Sequence, residues 1–129
     1  MVSGRCECGK VCFSVESVSP AVTVCHCSQC RRTSGHIWAS ADTLSFDALR
    51  FSADEGLTWY ASSSFAKRGF CRFCGSALFY QVNGEQRVSI GAGCLDAPTG
   101  ALIDKHIFVA DKGDYYEITD GKPQFAQDG

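Results

Sequence analysis

This chain has no run of eighteen apolar residues anywhere along its 129 positions, so nothing in it reads as a membrane-spanning helix. The opening segment Met1-Val2-Ser3-Gly4-Arg5-Cys6 has no apolar stretch that could act as the core of an export signal, and a cytoplasmic location is expected. An excess of basic residues is also lacking: twelve Lys and Arg stand against fourteen Asp and Glu, for a formal charge of −2. Phosphate backbones demand a positive footprint, so neither nucleic acid nor a membrane is expected as a partner. There is no Ser-His-Asp order, phosphate-cradling glycine loop or dinucleotide fingerprint, and chemistry of those kinds is excluded. Repeats, low-complexity runs and linkers are absent too, which leaves residues 1–129 as one expected domain.

What is present is core material and sulfur. Hydrophobic residues make up 45% of the chain and nine are Phe, enough for one packed interior. Nine residues are cysteine. An odd count without an export signal argues against a disulfide scaffold, and in a reducing compartment metal binding is the leading use for so many thiols.

Short alternating segments separated by Gly, Asn, Asp and Pro indicate a mainly β fold with little helix. Val11, Phe13 and Val15 share one face of a strand, as do Leu78, Tyr80 and Val82. Asn83-Gly84 lies between the second of these and Gln86–Ile90, which predicts a hairpin. Further strands are expected at Ala21–Val24, Ile37–Ser40, Leu49–Phe51, Thr58–Tyr60, Ala66–Phe70, Ile107–Ala110 and Tyr115–Ile118. A turn or two of helix is expected after Cys30, and another after Asp42 with that side chain as its cap.

The cysteines fall into clusters: Cys6-Glu7-Cys8-Gly9, Cys25-His26-Cys27-Ser28-Gln29-Cys30 and Cys71-Arg72-Phe73-Cys74-Gly75. Two sulfurs spaced by two residues reach one tetrahedral ion when the chain makes a tight knuckle, and a following glycine permits the positive φ such a turn needs. A closed zinc site takes four protein ligands, whereas an open one takes three and leaves a place for water or substrate. The seven clustered cysteines divide accordingly. Cys6, Cys8, Cys71 and Cys74 form the expected closed site, and Cys25, Cys27 and Cys30 the expected open one, with His26 as a possible fourth donor to the triad.

Cations near thiolates stabilise them, and Arg31 and Arg32 follow the triad while Lys67, Arg68 and Arg72 flank the Cys71 knuckle. Lys67 and Arg68 read first as solubilising surface charge. Arg31, Arg32 and Lys67 are the candidates for receiving the carboxylates of a substrate. Cys12 and Cys94 fit neither cluster and are expected to pack in the core, as are Trp38 and Trp59. His36 and His106 have no evident carboxylate to orient them and are expected to be structural.

The ordered pattern of Cys6-Glu7-Cys8-Gly9, Cys25-His26-Cys27-Ser28-Gln29-Cys30-Arg31-Arg32, Gly69-Phe70-Cys71-Arg72-Phe73-Cys74-Gly75-Ser76 and, more loosely, Lys105-His106-Ile107-Phe108-Val109 resembles the glutathione-dependent formaldehyde-activating enzyme family, which includes the centromere protein V group. The resemblance extends over most of the chain. It implies a β-tent fold of antiparallel sheets pinned by a structural zinc at Cys6, Cys8, Cys71 and Cys74. It also implies a second zinc at Cys25, Cys27 and Cys30 that meets glutathione or its formaldehyde adduct, making those three the catalytic cysteines. The implied activity is that of a carbon–sulfur lyase on an S-hydroxymethyl thiol adduct, with a small-molecule thiol as partner and the oligomeric state undetermined. Tyr115-Tyr116 departs from the Trp expected there in many relatives. The alternative is a non-enzymatic zinc module in which both metals serve folding and the surface binds another protein.

Overall fold

Alternating apolar and polar residues build ten strands among the 128 residues, 1–128, that the computed structural model describes. In chain order they are β1 (Val2–Arg5), β2 (Cys12–Val15), β3 (Ala21–Cys25), β4 (Trp38–Thr43), β5 (Arg50–Ala53), β6 (Leu57–Ala61), β7 (Ala66–Cys71), β8 (Ala77–Val82), β9 (Val88–Gly91) and β10 (Leu102–Ile107). One α-helix, α1 (Ser28–Ser34), joins β3 to β4. The expected β-rich architecture with little helix is what forms. Among the described residues no helix is long and apolar enough to cross a membrane.

The strands make two sheets, one ordered β1-β2-β5 and one ordered β10-β3-β4-β9-β8-β7-β6. All neighbours are antiparallel except β10 on β3, a parallel edge pair. Cross-strand register sorts the larger sheet into two faces, because directly paired residues project to the same side. Trp59, Gly69, Phe79 and Ile90 are paired in sequence across β6, β7, β8 and β9 and share one face. Against it lies the inner face of the smaller sheet, with Phe13 ring to ring with Phe79 at 5.4 Å and with Phe51 at 6.1 Å. Leu78, Phe79, Val88 and Ile90 are fully buried there with Val11 and Val15. Tyr60, Arg68, Tyr80 and Ser89 are paired across the same four strands and face the other way, as do Trp38 and Cys25 across β4 and β3.

Several local expectations shift. The strand expected at Ile107–Ala110 instead runs from Leu102 and stops at Ile107, because Phe108 takes a left-handed φ of 54° and a 3-10 turn follows at Val109–Asp111. No strand forms at Tyr115–Ile118, where both tyrosines turn toward histidines. Asp42 caps no helix: it lies inside β4 and accepts a hydrogen bond from Ser89 Oγ at 2.6 Å. The short turn at Phe46–Ala48 is capped by Ser45, whose Oγ accepts from Asp47 N. β1 had no alternation to announce it and is defined only by pairing with β2. The hairpin after β8 forms, with Gly84 at φ +84° and Glu85 N donating to Val82 O.

Phe79 meets Phe13, Phe46, Phe51 and Trp59 at centroid distances of 5.4 to 6.2 Å, so it ties the two sheets together. Phe79→Ala should lower unfolding free energy by about 3–5 kcal/mol, read from urea denaturation monitored by Trp fluorescence. A loss below 1 kcal/mol would mean that the aromatic cluster is not the main tie between the sheets.

Candidate metal centres

The first cluster forms where two knuckles meet. One begins as β1 ends: Cys6 N donates to Val11 O at 3.0 Å, and Gly9 takes φ +83° to close the turn. The other begins at Cys71, the last residue of β7, where Gly75 N donates to Cys71 O at 2.7 Å and Gly75 takes φ +80°. A Cβ at either glycine would be strained by that backbone, which is why the pattern needs glycine after each pair.

Sγ atoms of Cys6, Cys8, Cys71 and Cys74 all lie within 4.8 Å of one another. Cys6 to Cys8 and Cys8 to Cys71 are each 3.7 Å. A metal–sulfur bond of about 2.3 Å gives tetrahedral S···S edges of about 3.8 Å, so the donor set fits a zinc-sized ion. None of these cysteines is in a disulfide. Val11 N donates to Cys6 Sγ at 3.2 Å. Against the cost of burial, the Ser76 hydroxyl and N–H hold the Cys74 thiol down to about 5.

Gly56, absent from every motif, turns out to close this cluster. A Cβ there would sit 2.7 Å from Cys71 Sγ. Its N–H donates to Lys10 O and its carbonyl accepts from Arg72 N, so one glycine ties both knuckles.

The second cluster lies on the opposite face of the larger sheet. Cys25 ends β3, Cys27 is the N-cap of α1 with its Sγ accepting from Cys30 N at 3.3 Å, and Cys30 is buried one turn into the helix. Their sulfurs also lie within 4.8 Å of one another, and among the described residues no fourth His, Cys, Asp or Glu joins them. A hydrogen bond from Cys25, together with the Arg68 guanidinium, pulls the Cys30 thiol down to about 6, while the same bond pushes Cys25 well up. Three soft sulfur donors of this kind suit zinc with one coordination position left over.

His26 does not close the triad. It is 1% exposed and both ring nitrogens are engaged: Nδ1 with Tyr116 Oη at 2.5 Å, and Nε2 with His106 Nδ1 at 2.8 Å. His106 Nε2 in turn meets Asp120 Oδ2 at 2.8 Å. Burial, then the neighbouring His106, pushes the His26 imidazole down to about 4, so it is neutral. A carboxylate can only accept, so with a single proton on each imidazole the direction of the whole row follows. Tyr116 O–H donates to His26, His26 Nε2–H to His106, and His106 Nε2–H to Asp120. His106 therefore has the orienting carboxylate that the sequence did not reveal, supplied from fourteen residues downstream. His36 pairs similarly with Tyr115 Oη at 2.5 Å.

The candidate cations separate. Arg32 lines an open groove of about 720 Å³ beside α1, together with Ser28, Gln29, Thr33, Tyr60 and Phe70. Arg31 Nε donates to Asp111 O. Lys67 lies over the Trp59 ring at 4.6 Å, on the core-facing side of β7. Arg68 is the correction: it is 4% exposed rather than a surface charge, and it serves the triad rather than the Cys71 knuckle, donating from Nη2 to Cys30 Sγ at 3.4 Å. Cys94 packs at the core margin as expected, with burial pushing its thiol up to about 11, whereas Cys12 is not a core residue: it alternates with the buried Phe13 and Val15 on β2, faces away from the interior and donates its thiol to Gly9 O.

The histidine row yields a stability prediction. Asp120→Ala leaves the buried His106 N–H without an acceptor and should cost about 1–3 kcal/mol, and Tyr116→Phe about 1 kcal/mol, in denaturant unfolding. Wild-type stability in both variants would reduce the row to incidental contacts.

The sequence profile of the family described as glutathione-dependent formaldehyde-activating enzyme matches residues 1–111. An uncharacterized lyase of Schizosaccharomyces pombe is 30% identical over 129 residues, covering 97% of this chain and 90% of that protein. A protein of Halomonas elongata whose name carries the same formaldehyde-activating description is 28% identical, over 92% of this chain and 81% of that one. A crystal structure of a Rhodobacter sphaeroides protein shares the fold with a TM-score of 0.62 at 24% identity, covering 95% of this chain and 98% of that chain. With the cysteine clusters assembled as that family's pattern requires, the chain belongs to the glutathione-dependent formaldehyde-activating enzyme family.

Proposed function

We propose that residues 1–129 act as one domain, a zinc-dependent carbon–sulfur lyase working on the S-hydroxymethyl adduct of glutathione and formaldehyde or a related thiol adduct. The observation that carries this reading is the Cys25, Cys27, Cys30 triad: three convergent sulfurs with no fourth donor among the described residues. A purely structural module would close that site with a protein side chain, and His26, the nearest candidate, is committed to Tyr116 and His106. The names of the relatives point the same way.

When bound, zinc held by three thiolates supplies a soft, weakly acidic centre that favours a sulfur ligand over water and keeps a bound thiol deprotonated. The rest of the work falls to the chain. Cys27 and Cys30 are held in register by the first turn of α1, and Ser28 and Gln29 lead from them into the groove. Arg32 on that groove receives a carboxylate of the thiol substrate. Arg31, tied to Asp111 O, has a lesser share, and Lys67 faces the other side of β7. In the lyase direction the adduct hydroxyl gives its proton to solvent water as the carbon–sulfur bond breaks. The electron pair stays with the thiol sulfur and formaldehyde leaves; addition runs the same step backwards.

The test compares the two clusters. Cys74→Ser should lose folding, because it breaks the closed cluster that joins the N-terminal turn to β7. Cys27→Ser should fold with one zinc fewer by elemental analysis and should lose the exchange between glutathione, formaldehyde and their adduct observed by NMR. Added glutathione should shield the more labile zinc of the parent protein from a mild chelator. One zinc per parent chain, or two that ignore both chelator and glutathione, would overturn the proposal in favour of a structural module.

A further inference from the structure

A guanidinium withdrawn from water needs an opposite charge nearby, since burial is costly to an unpaired ion. Arg68 is withdrawn, at 4% exposure in the middle of β7, yet it meets no carboxylate: the ion pairs among the described residues belong to Arg87 and His106. Its side chain is spent on the helix that carries the triad. Nε and Nη2 both donate to Gln29 Oε1, at 3.2 and 2.9 Å, and Nη2 donates to Cys30 Sγ at 3.4 Å. Gln29 Nε2 is anchored to Ser62 O at 2.8 Å, which fixes the acceptor in place. Tyr80 and Trp38 cover the guanidinium at 4.9 and 6.0 Å. Nη1 is buried with no hydrogen-bond partner.

An arginine serving packing alone would have its donors satisfied and a carboxylate for its charge. This one has a cysteine sulfur as its nearest anion and keeps a donor in reserve. We propose that Arg68 is a positioning residue that sets the charge of the three-cysteine site, its buried guanidinium cancelling one thiolate charge so that the site retains its metal and accepts a further anionic sulfur. The inference rests on the triad being the open metal site. Three thiolates around a divalent ion carry −1, and Arg68 brings the unit to zero. An incoming thiolate then takes it to −1 instead of −2. Arginine suits the role because its charge persists at every working pH and its planar fork grips Gln29 and Cys30 together. Cys8 of the other cluster is exposed, so water can screen that site and no buried cation is needed.

The test uses the full chain loaded with cobalt(II), whose sulfur-to-metal absorption reports each site, titrated with a competing chelator and separately with glutathione. Arg68→Gln should weaken the labile metal by about 10–100-fold while the tightly held one keeps its midpoint, and should weaken the glutathione response in step. Arg68→Met is the second neutral variant, placing no polar group between Trp38 and Tyr80. Arg68→Lys, which keeps the charge and loses the fork, should stay close to the parent. An unchanged labile midpoint in a folded neutral variant would overturn the proposal. So would an Arg68→Lys loss as severe as that of Arg68→Gln, which would assign the role to the fork rather than the charge. Uptake of only one cobalt by the parent would instead defeat the reading of the triad itself, which separates the two failures.

Discussion

Four cysteine sulfurs from two distant turns meet at tetrahedral spacing, and much of the molecule depends on that meeting. Cys6 and Cys8 follow β1 in the smaller sheet, while Cys71 ends β7 in the larger one and Cys74 follows it. Their approach brings the two sheets together at one corner, with the Phe13, Phe51 and Phe79 cluster filling the interior beside it. The packing around the sulfurs is tight enough that Gly56 has no room for even one added carbon. Such a cluster couples folding to metal, since its donors are brought together only in the folded chain.

The larger sheet separates structure from chemistry by the alternation of its strands. On β7, Lys67 and Gly69 face the aromatic core, and Arg68 between them faces α1 and the triad. The same rule puts Cys71 with the closed cluster and Cys25 with the open one, so two sulfur sites of similar chemistry occupy opposite faces of one sheet. The open site is then supported from two directions. Arg68 and Gln29 approach from the sheet and helix side, and the Tyr116, His26, His106, Asp120 row holds the loop between Cys25 and Cys27 from behind. The tail that supplies Tyr116 and Asp120 is secured along β10, where Phe125 N donates to His106 O.

Two sources of information thus differ in reach. Cysteine spacing carries ligand geometry because a chelate is a local object: Cys-x-Cys-Gly and Cys-x-x-Cys-Gly each specify a turn, and the count of seven separates into four and three. Strand patterning carried most of the larger sheet for the same reason, period two being visible over five residues. It failed at Tyr115–Ile118, where aromatic residues of strand type serve as hydrogen-bonding caps on histidines, and at Phe108, whose left-handed backbone ends a strand that the side chains alone would continue.

By itself the sequence determined the β-rich class, both cysteine groupings, the hairpin at Asn83-Gly84 and the core role of Cys94, all of which follow from residue type, spacing or periodicity within a few residues. Only the tertiary structure decided that His26 turns away from the triad, that Asp120 orients His106, that Gly56 abuts Cys71, and that Arg68 rather than Lys67 reaches Cys30. Each of those depends on which side of a strand faces which neighbour and on contacts across thirty or more residues of chain in all but the Gly56 and Asp120 cases. A buried arginine and an exposed one have the same letter, and what distinguishes them here is the register of β7 against β6 and β8.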